Sequence, residues 1–190
     1  MRQIPGNSRP SVVLSPGSNS FTRVRAKTVQ DNIKIRAALD TDASTFAALS
    51  AFVQDLHFRE RPDVFKEPDV LGLERWFQNA LSTASAQIWI AEIGDVPTGY
   101  IVVTPQSRDE SVFCYQRCWH EVDNIGVHPK YRKRGVARAL LNHVVRIAAA
   151  KGVPEIELNT WNFNQLAHRS FEHVGFLRKN LRFARRVERT

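Results

Sequence analysis

The stretch Val127-His128-Pro129-Lys130-Tyr131-Arg132-Lys133-Arg134-Gly135-Val136-Ala137 decides how this chain reads. An apolar extended run ends at Val127, a basic turn follows, and Gly135 and Ala137 open a helix. Small residues at a helix start let ligand oxygens approach the backbone, and first-turn N–H groups have no intrahelical partner. The helix dipole and the cations Lys130, Arg132, Lys133 and Arg134 add positive potential, so the segment predicts a pyrophosphate site. It is neither a P-loop, lacking the glycine-lysine-serine ending, nor a dinucleotide fingerprint, lacking two of the glycines. A basic loop with an ordinary helix cap fits the same residues, so this segment alone leaves both readings open.

Elements can be placed outward from it. Downstream, Leu140, Leu141, Val144, Val145 and Ile147 recur at helical spacing until Gly152 and Pro154. Ile156-Glu157-Leu158 reads as a short strand, Leu166 to Val174 as a helix closed by Gly175, and Leu181 to Val187 as a last strand. Upstream, Val112 to Val127 reads as one extended run, and Gln87 to Ala91 and Tyr100 to Val103 as strands joined through a Gly94-Asp95 turn. Ile33 to Arg36 alternates like a first strand. Thr41 and Asp42 supply the N-cap of a helix carrying Phe46, Leu49, Phe52, Val53 and Leu56, and Asp69 caps a second with Leu73, Trp76, Phe77 and Leu81. The order β-α-α-β-β-β-α-β-α-β predicts a mixed α/β sheet with helices on both faces.

The 190 residues are 43% hydrophobic and 24% charged, which fits one globular domain and excludes collagen, coiled coil and wholesale disorder. No stretch approaches the ~18 apolar residues of a membrane span. Met1 to Asn32 is rich in Ser, Pro and basic residues, with no acid before Asp31, so residues 1–32 are expected to form a flexible leader and 33–190 the folded domain. An Arg/Ser-rich start also suits an organelle transit peptide, but a clean amphipathic stripe is missing. Cys114 and Cys118 with His120 suggest zinc, yet a fourth ligand is lacking, so they read as packed thiols, no metal is expected, and a reducing cytoplasm is the expected location. The net charge of +8 favours an anionic partner such as a phosphorylated cofactor, a membrane surface or nucleic acid.

Arg132-x-x-Gly135-x-Ala137 after a strand and Pro129 resembles the acetyl-CoA signature of the GNAT N-acetyltransferase superfamily. Trp161-Asn162-Phe163-Asn164-Gln165-Leu166-Ala167 and Phe171-Glu172-His173-Val174-Gly175-Phe176 resemble the same family's second landmark, with matching spacing. The resemblance covers about Ile33 to Val187 and implies a mostly antiparallel central sheet, splayed between its two middle strands to admit acetyl-CoA. It implies pyrophosphate binding by the backbone from Arg134 through Val136 to Ala137, with Arg132 and Lys133 lining the loop. It places Ile125 and Val127, at the end of a strand, against the pantetheine arm, and Asn164 and Phe171 beside the cofactor. Asn164 also suits a helix N-cap. Phe171 stands where many members have a Tyr that protonates the leaving thiolate, and it reads as core packing. A thiol of pKa ~8.5 leaves tolerably without an acid.

The resemblance puts a catalytic base at Glu121, six residues before Val127, and strand alternation puts Asp123 on the same face as a second choice. A solvent-facing strand carboxylate is an equal reading of Glu121, and Glu157 is left to bind or orient the acceptor. His57, Arg61, Pro62, Asp63 and Phe65 fall where family members build the acceptor wall, although a His at a helix end is more often a cap. The implied activity is direct acetyl transfer to a primary amine on a small molecule, peptide or protein. Its rivals are a non-catalytic acyl-CoA-binding module and a basic ribosome- or RNA-associated protein, the latter suggested by Arg178, Lys179, Arg182, Arg185, Arg186 and Arg189. That basic run lacks a stacking aromatic array, so a nucleic-acid partner is the weaker reading. No membrane partner is expected, and a homodimer is compatible with the family.

Overall fold

Two apolar layers separated by one sheet account for the folding of this chain. A computed structural model describes residues 33–82 and 86–187; the leader expectation for 1–32 lies outside them. The strands are β1 (Ile33–Ala37), β2 (Gln87–Ile93), β3 (Val96–Arg108), β4 (Arg117–Val127) and β5 (Ile156–Leu158), in the spatial order β1-β2-β3-β4-β5. The helices are α1 (Ala43–Glu60), α2 (Val70–Ser82), α3 (Val136–Ala150) and α4 (Gln165–Val174). Pairing is antiparallel except between β4 and β5. The mixed, mostly antiparallel α/β architecture therefore matches the expectation. β2 and β3 are joined at Gly94-Asp95, where both residues have positive φ, the backbone that matches a tight turn to the strand twist.

Alternation along β2 and β3 sends successive side chains to opposite faces. On one face Ile88, Tyr100 and Val102 meet Phe46 and Leu49 of α1 and Phe77 of α2. On the other, Trp89, Ala91, Ile101, Val103 and Val122 meet Val136, Leu140, Leu141 and Val144 of α3 and Phe171 of α4. Helices thus cover both faces, as expected. The sheet is held between them, which fixes the positions of strand ends and the loops they carry.

Four local expectations change. Asp42 sits at the N-cap position of α1, but its carboxylate makes no cap bond there. It accepts instead from Leu39 N at 2.8 Å and from both terminal nitrogens of Arg36 at 2.7 and 2.9 Å, while Arg36 Nε donates to Glu92 at 2.7 Å. The pull of a nearby guanidinium outweighs a neutral amide, so the acid ties β1 and β2 to the helix start. The extended run expected from Val112 begins only at Arg117, because Ser111 and Cys114 bond each other's backbone in a loop. β3 continues to Arg108, pairing there with Arg117. Finally, residues 177–187 form no strand, which leaves β5 at the sheet's edge and the β4/β5 seam beside that edge rather than central. Among the described residues their fastenings are ion pairs, and exposed ion pairs contribute little to holding a segment.

Asp42 is buried, and the hydrogen bonds from Arg36 hold its carboxyl below the usual range against the upward push of burial. Asp42→Ala is expected to cost about 2–3 kcal/mol, because it strands Arg36 and the Leu39 amide. A depressed folded-state pKa gives stability that is fully present above the unfolded value, ~3.9, and is lost as pH falls through the folded one. Urea midpoints against pH should therefore show wild type and Asp42→Ala converging in acid and separated at neutrality. A constant separation down to the lowest pH would contradict this.

Candidate active site

The β4 strand carries four of the sequence-predicted residues, Glu121, Asp123, Ile125 and Val127. Its bonding to β3 runs from Arg117 opposite Arg108 to Val127 opposite Gly99. Its bonding to β5 stops at Val122 opposite Leu158, so residues 123–127 have an open side toward β5. Val122 pairs with Val103 and Asn124 with Val102, so Asp123 is an extra residue with no partner opposite it. Such a bulge bends the strand and re-aims the side chains next to it. The opening between β4 and β5 starts at this bulge.

The bulge also changes which side chains share a face. Simple alternation would put Asn124 on the opposite face from Glu121. The extra residue instead places Asn124 opposite Val102, on the α1 side, where Glu121 already faces Thr104. Asp123 is exposed and makes no side-chain hydrogen bond or ion pair among the described residues. Glu121 is half-buried and oriented: its two oxygens accept from Trp119 Nε1 at 3.1 Å and Asn159 Nδ2 at 3.0 Å. Glu157 lies opposite Glu121 on β5, bonded by Arg117 and by Lys179 Nζ at 2.6 Å. Burial pulls the Glu157 carboxyl upward, but those bonds outweigh it and leave it below the ordinary range.

Asn124 belongs to a buried polar contact that no local pattern foretells, since Tyr100 sits in an apolar strand run. The fully buried Tyr100 hydroxyl donates to Asn124 Oδ1 at 2.8 Å, with buried Ser50 of α1 close to it. Burial pushes the phenol far above its ordinary value, so it stays a donor. Beside Tyr100, Gly126 leaves room for the ring: a Cβ there would lie 2.5 Å from Tyr100 Cε1 and 2.9 Å from Val53 Cγ2.

Beyond Val127 the chain makes a single 3₁₀ turn, Pro129–Tyr131, fastened by Lys130 N to His128 Nδ1 at 3.2 Å. Lys133 has φ of 61° and Gly135, at the N-cap of α3, has φ of 86°, a region that favours glycine. The α3 ladder begins with Ala139 N to Gly135 O, which leaves the amides of Val136 and Ala137 without a partner inside the helix. Lys130, Arg132, Lys133 and Arg134 are exposed around this start, with Arg134 lying over the Tyr131 ring at 5.1 Å. Ile125 and Val127 pack their side chains on the α3 core and leave their backbone along the opening.

Asn164 caps α4, its Oδ1 accepting from Ala167 N at 3.2 Å. Phe171 is buried in the α3 core, edge-on to Phe176. On the α1 side, His57 stacks on Phe65 at 4.8 Å rather than capping its helix, and burial pushes its imidazole below the ordinary value. Trp161 and Phe163 complete a half-exposed aromatic wall, with Arg61 over Trp161 at 5.1 Å. Asn159 links this wall to Glu121 two residues before Trp161. The aromatic pair in the β5–α4 loop was visible in sequence only as part of a motif. Among the described residues, no three His, Cys, Asp or Glu side chains gather as a metal would require.

The acetyltransferase (GNAT) family model matches residues 50–176, well over half of the chain. The chain belongs to the GNAT acetyltransferase family. The fold is shared with solved structures. A tetramutant of the BH1408 protein from Bacillus halodurans matches with a TM-score of 0.77 at 21% identity, over 81% of this chain and 99% of that one. An aminoglycoside N-acetyltransferase in complex with CoA matches at 0.64 and 21% identity, over 81% and 94%. A ribosomal-protein-alanine N-acetyltransferase from Brucella melitensis biovar Abortus matches at 0.59 and 18% identity, over 82% and 99%. The family uses acetyl-CoA, and this GNAT enzyme has features that fit it: a strand opening, a glycine-started helix and four cations at that start.

Gly126→Ala tests whether this GNAT site depends on the close approach of Tyr100 to β4. The Cβ would meet a fully buried ring that has no free space to enter, and overpacking of this kind costs about 1–3 kcal/mol. Chemical denaturation should register that loss, whereas Gly94→Ala, with nothing within 4 Å of its Cβ, should lose only what its positive φ imposes. Equal stability of Gly126→Ala and wild type would contradict the packing.

Proposed function

We propose that this enzyme moves an acetyl group from acetyl-CoA directly to a primary amine, with Glu121 as general base. The observation that carries the reading is the opening at the Asp123 bulge, with one oriented carboxylate, Glu121, immediately before it and a cationic helix start beyond its far end. In this reading the pyrophosphate is held by the backbone from Arg134 to Ala137, assisted by Arg132 and Lys133. The pantetheine arm lies along Ile125 and Val127, near Asn164. Backbone amides on the open side of β4 polarise the thioester carbonyl.

The chemistry needs a base more than an acid. A lysine-like amine of pKa ~10.4 is neutral only about one part in a few thousand at pH 7. Glu121 takes the proton, directly or through a water, as the amine nitrogen attacks the carbonyl carbon; the C–S bond breaks, and CoA leaves as thiolate. No side-chain acid is assigned to protonate that thiolate, which suits Phe171 as a core residue. Glu157 is the poorer base because Arg117 and Lys179 stabilise its anion. Asp123 is the second choice, exposed at the bulge. The aromatic wall of His57, Phe65, Trp161 and Phe163 borders the acceptor. A panel of polyamines, aminoglycosides, amino acids and peptides, assayed by release of free CoA, identifies the acceptor class.

CoA should raise the melting temperature, since a ligand bound only to the folded state stabilises by ~2.7 kcal/mol at a hundredfold excess over Kd. Gly135→Asp should abolish the shift, because it sets a negative side chain against phosphate. Its own melting point falls too, because φ of 86° strains any side chain, so the readout is the shift and not the midpoint. An unshifted wild-type protein would end the acetyl-CoA reading.

Glu121→Gln should retain the CoA shift yet lower kcat/KM at pH 7 by about 10²–10⁴ on the amine found by the panel. That loss should shrink as pH approaches the amine's own pKa, where neutral acceptor is plentiful. Coinciding pH profiles near neutrality would remove Glu121 from the role and transfer it to Asp123 or Glu157.

A further inference from the structure

The first half of α1, the β2–β3 turn and the 3₁₀ turn after β4 enclose an open cleft of about 420 Å³. Its lining shares no residue with the aromatic wall or with the open stretch of β4. Leu49, Val96 and the Tyr131 ring give it an apolar surface. A concave apolar lining of this size, set with a few polar groups, is how sites for small molecules are built.

Three polar side chains lie among these apolar ones: Thr45, His128 and Lys130. Lys130 is exposed and makes no ion pair among the described residues. His128 Nδ1 accepts from Lys130 N at 3.2 Å, which leaves the ring proton on Nε2, a donor. Phe52 and Tyr131, edge-on at 4.9 and 5.7 Å, hold that ring in place. Thr45 adds a hydroxyl from the first turn of α1, the positive end of its helix dipole. Among the described residues no acid lines the cleft. One cation and two neutral donors beside an apolar surface match a single carboxylate on an apolar body. A phosphate group is better served by several cations and a run of free backbone amides, which this chain offers at the α3 start instead.

We infer that this cleft is a second ligand site, which takes a small organic carboxylate with an apolar body and weakens CoA binding when it is occupied. The site itself is independent of the acetyl-transfer reading, and the coupling rests on that reading. Both ligands draw on one turn. Lys130 is among the four cations at the α3 start, and the Tyr131 ring that lines the cleft has Arg134 over it at 5.1 Å. A carboxylate at Lys130 lowers the positive potential available to the CoA phosphates. Linkage makes the effect mutual, so bound CoA weakens the carboxylate by the same factor.

Phenylbutyrate titrated into the full chain should move the backbone amide resonances of Thr45, Ala48, Leu49, Val96, Lys130 and Tyr131 in a saturable way. Phenylbutyramide, the same body without the charge, should bind about tenfold more weakly, and Lys130→Gln should remove that difference. Ala48→Trp, at an exposed position of α1 that lines the cleft, should fill it and abolish the titration while the rest of the amide spectrum is kept. Val96→Asp should abolish it by charge from a different element, so that a disturbed α1 cannot account for both results. Saturating CoA should raise the Kd of phenylbutyrate about five- to tenfold and then no further. Displacement without limit would put the probe on the CoA phosphates and overturn the site. So would unmoved amides in the wild-type chain, equal affinity for the amide, or binding that survives both cleft variants. An unchanged Kd with CoA bound would overturn the coupling. A chain that takes phenylbutyrate in the cleft and never binds CoA upholds the site and ends the coupling together with the acetyl-CoA reading.

Discussion

β4 is bonded to β3 along its whole length and to β5 over three residues only, and the site depends on this inequality. The firm side is fixed by two apolar layers, because β3 contributes Tyr100 and Val102 to one core and Ile101 and Val103 to the other. The loose side begins where Asp123 is inserted without a partner. A strand open on both sides would move, and a strand bonded on both sides would leave nothing for a ligand to pair with. With one side fixed, the free backbone of residues 123–127 has a definite position.

The same inequality distributes the charges. Four exposed cations surround the α3 start, beyond Val127, while the carboxylates of Glu121 and Glu157 flank the paired part of the β4/β5 seam. The positive end suits a phosphorylated ligand, and the negative end suits an amine. The two acids at the seam are not equivalent. Glu121 is held by two neutral donors, Trp119 and Asn159, whereas Glu157 is neutralised by Arg117 and Lys179. Their neighbours, and not their shared position in the register, distinguish a carboxylate held by neutral donors from one occupied in an ion-pair network.

Much of this was legible because it is local. Periodicity placed the helices and most strands, and Gly94-Asp95, Asp69, Asn164 and Gly175 marked turns and caps through chemistry confined to a few neighbouring residues. The basic loop and Gly135 were visible for the same reason. The misreadings were non-local. Asp42 fits an N-cap by sequence, but Arg36 and Glu92 from adjacent strands decide where its carboxylate points. Residues 181–187 alternate like a strand, yet a strand exists only when an edge lies beside it, and alternation carries no information about the edge.

The layered α/β fold, the order of its elements as far as α4, and the loop that opens α3 were legible from the residues alone, because burial patterns and helix starts are set by residues close together in the chain. Contacts between distant elements produce the bulge at Asp123, the move of Asn124 to the face of Glu121, and the Tyr100–Asn124 hydrogen bond. They also assemble His57 and Phe65 with Trp161 and Phe163, about a hundred residues later in the chain. Each of these depends on the register between elements far apart in sequence. A one-residue change in register reverses which face a side chain occupies, and only the packing of both cores against the sheet fixes that register.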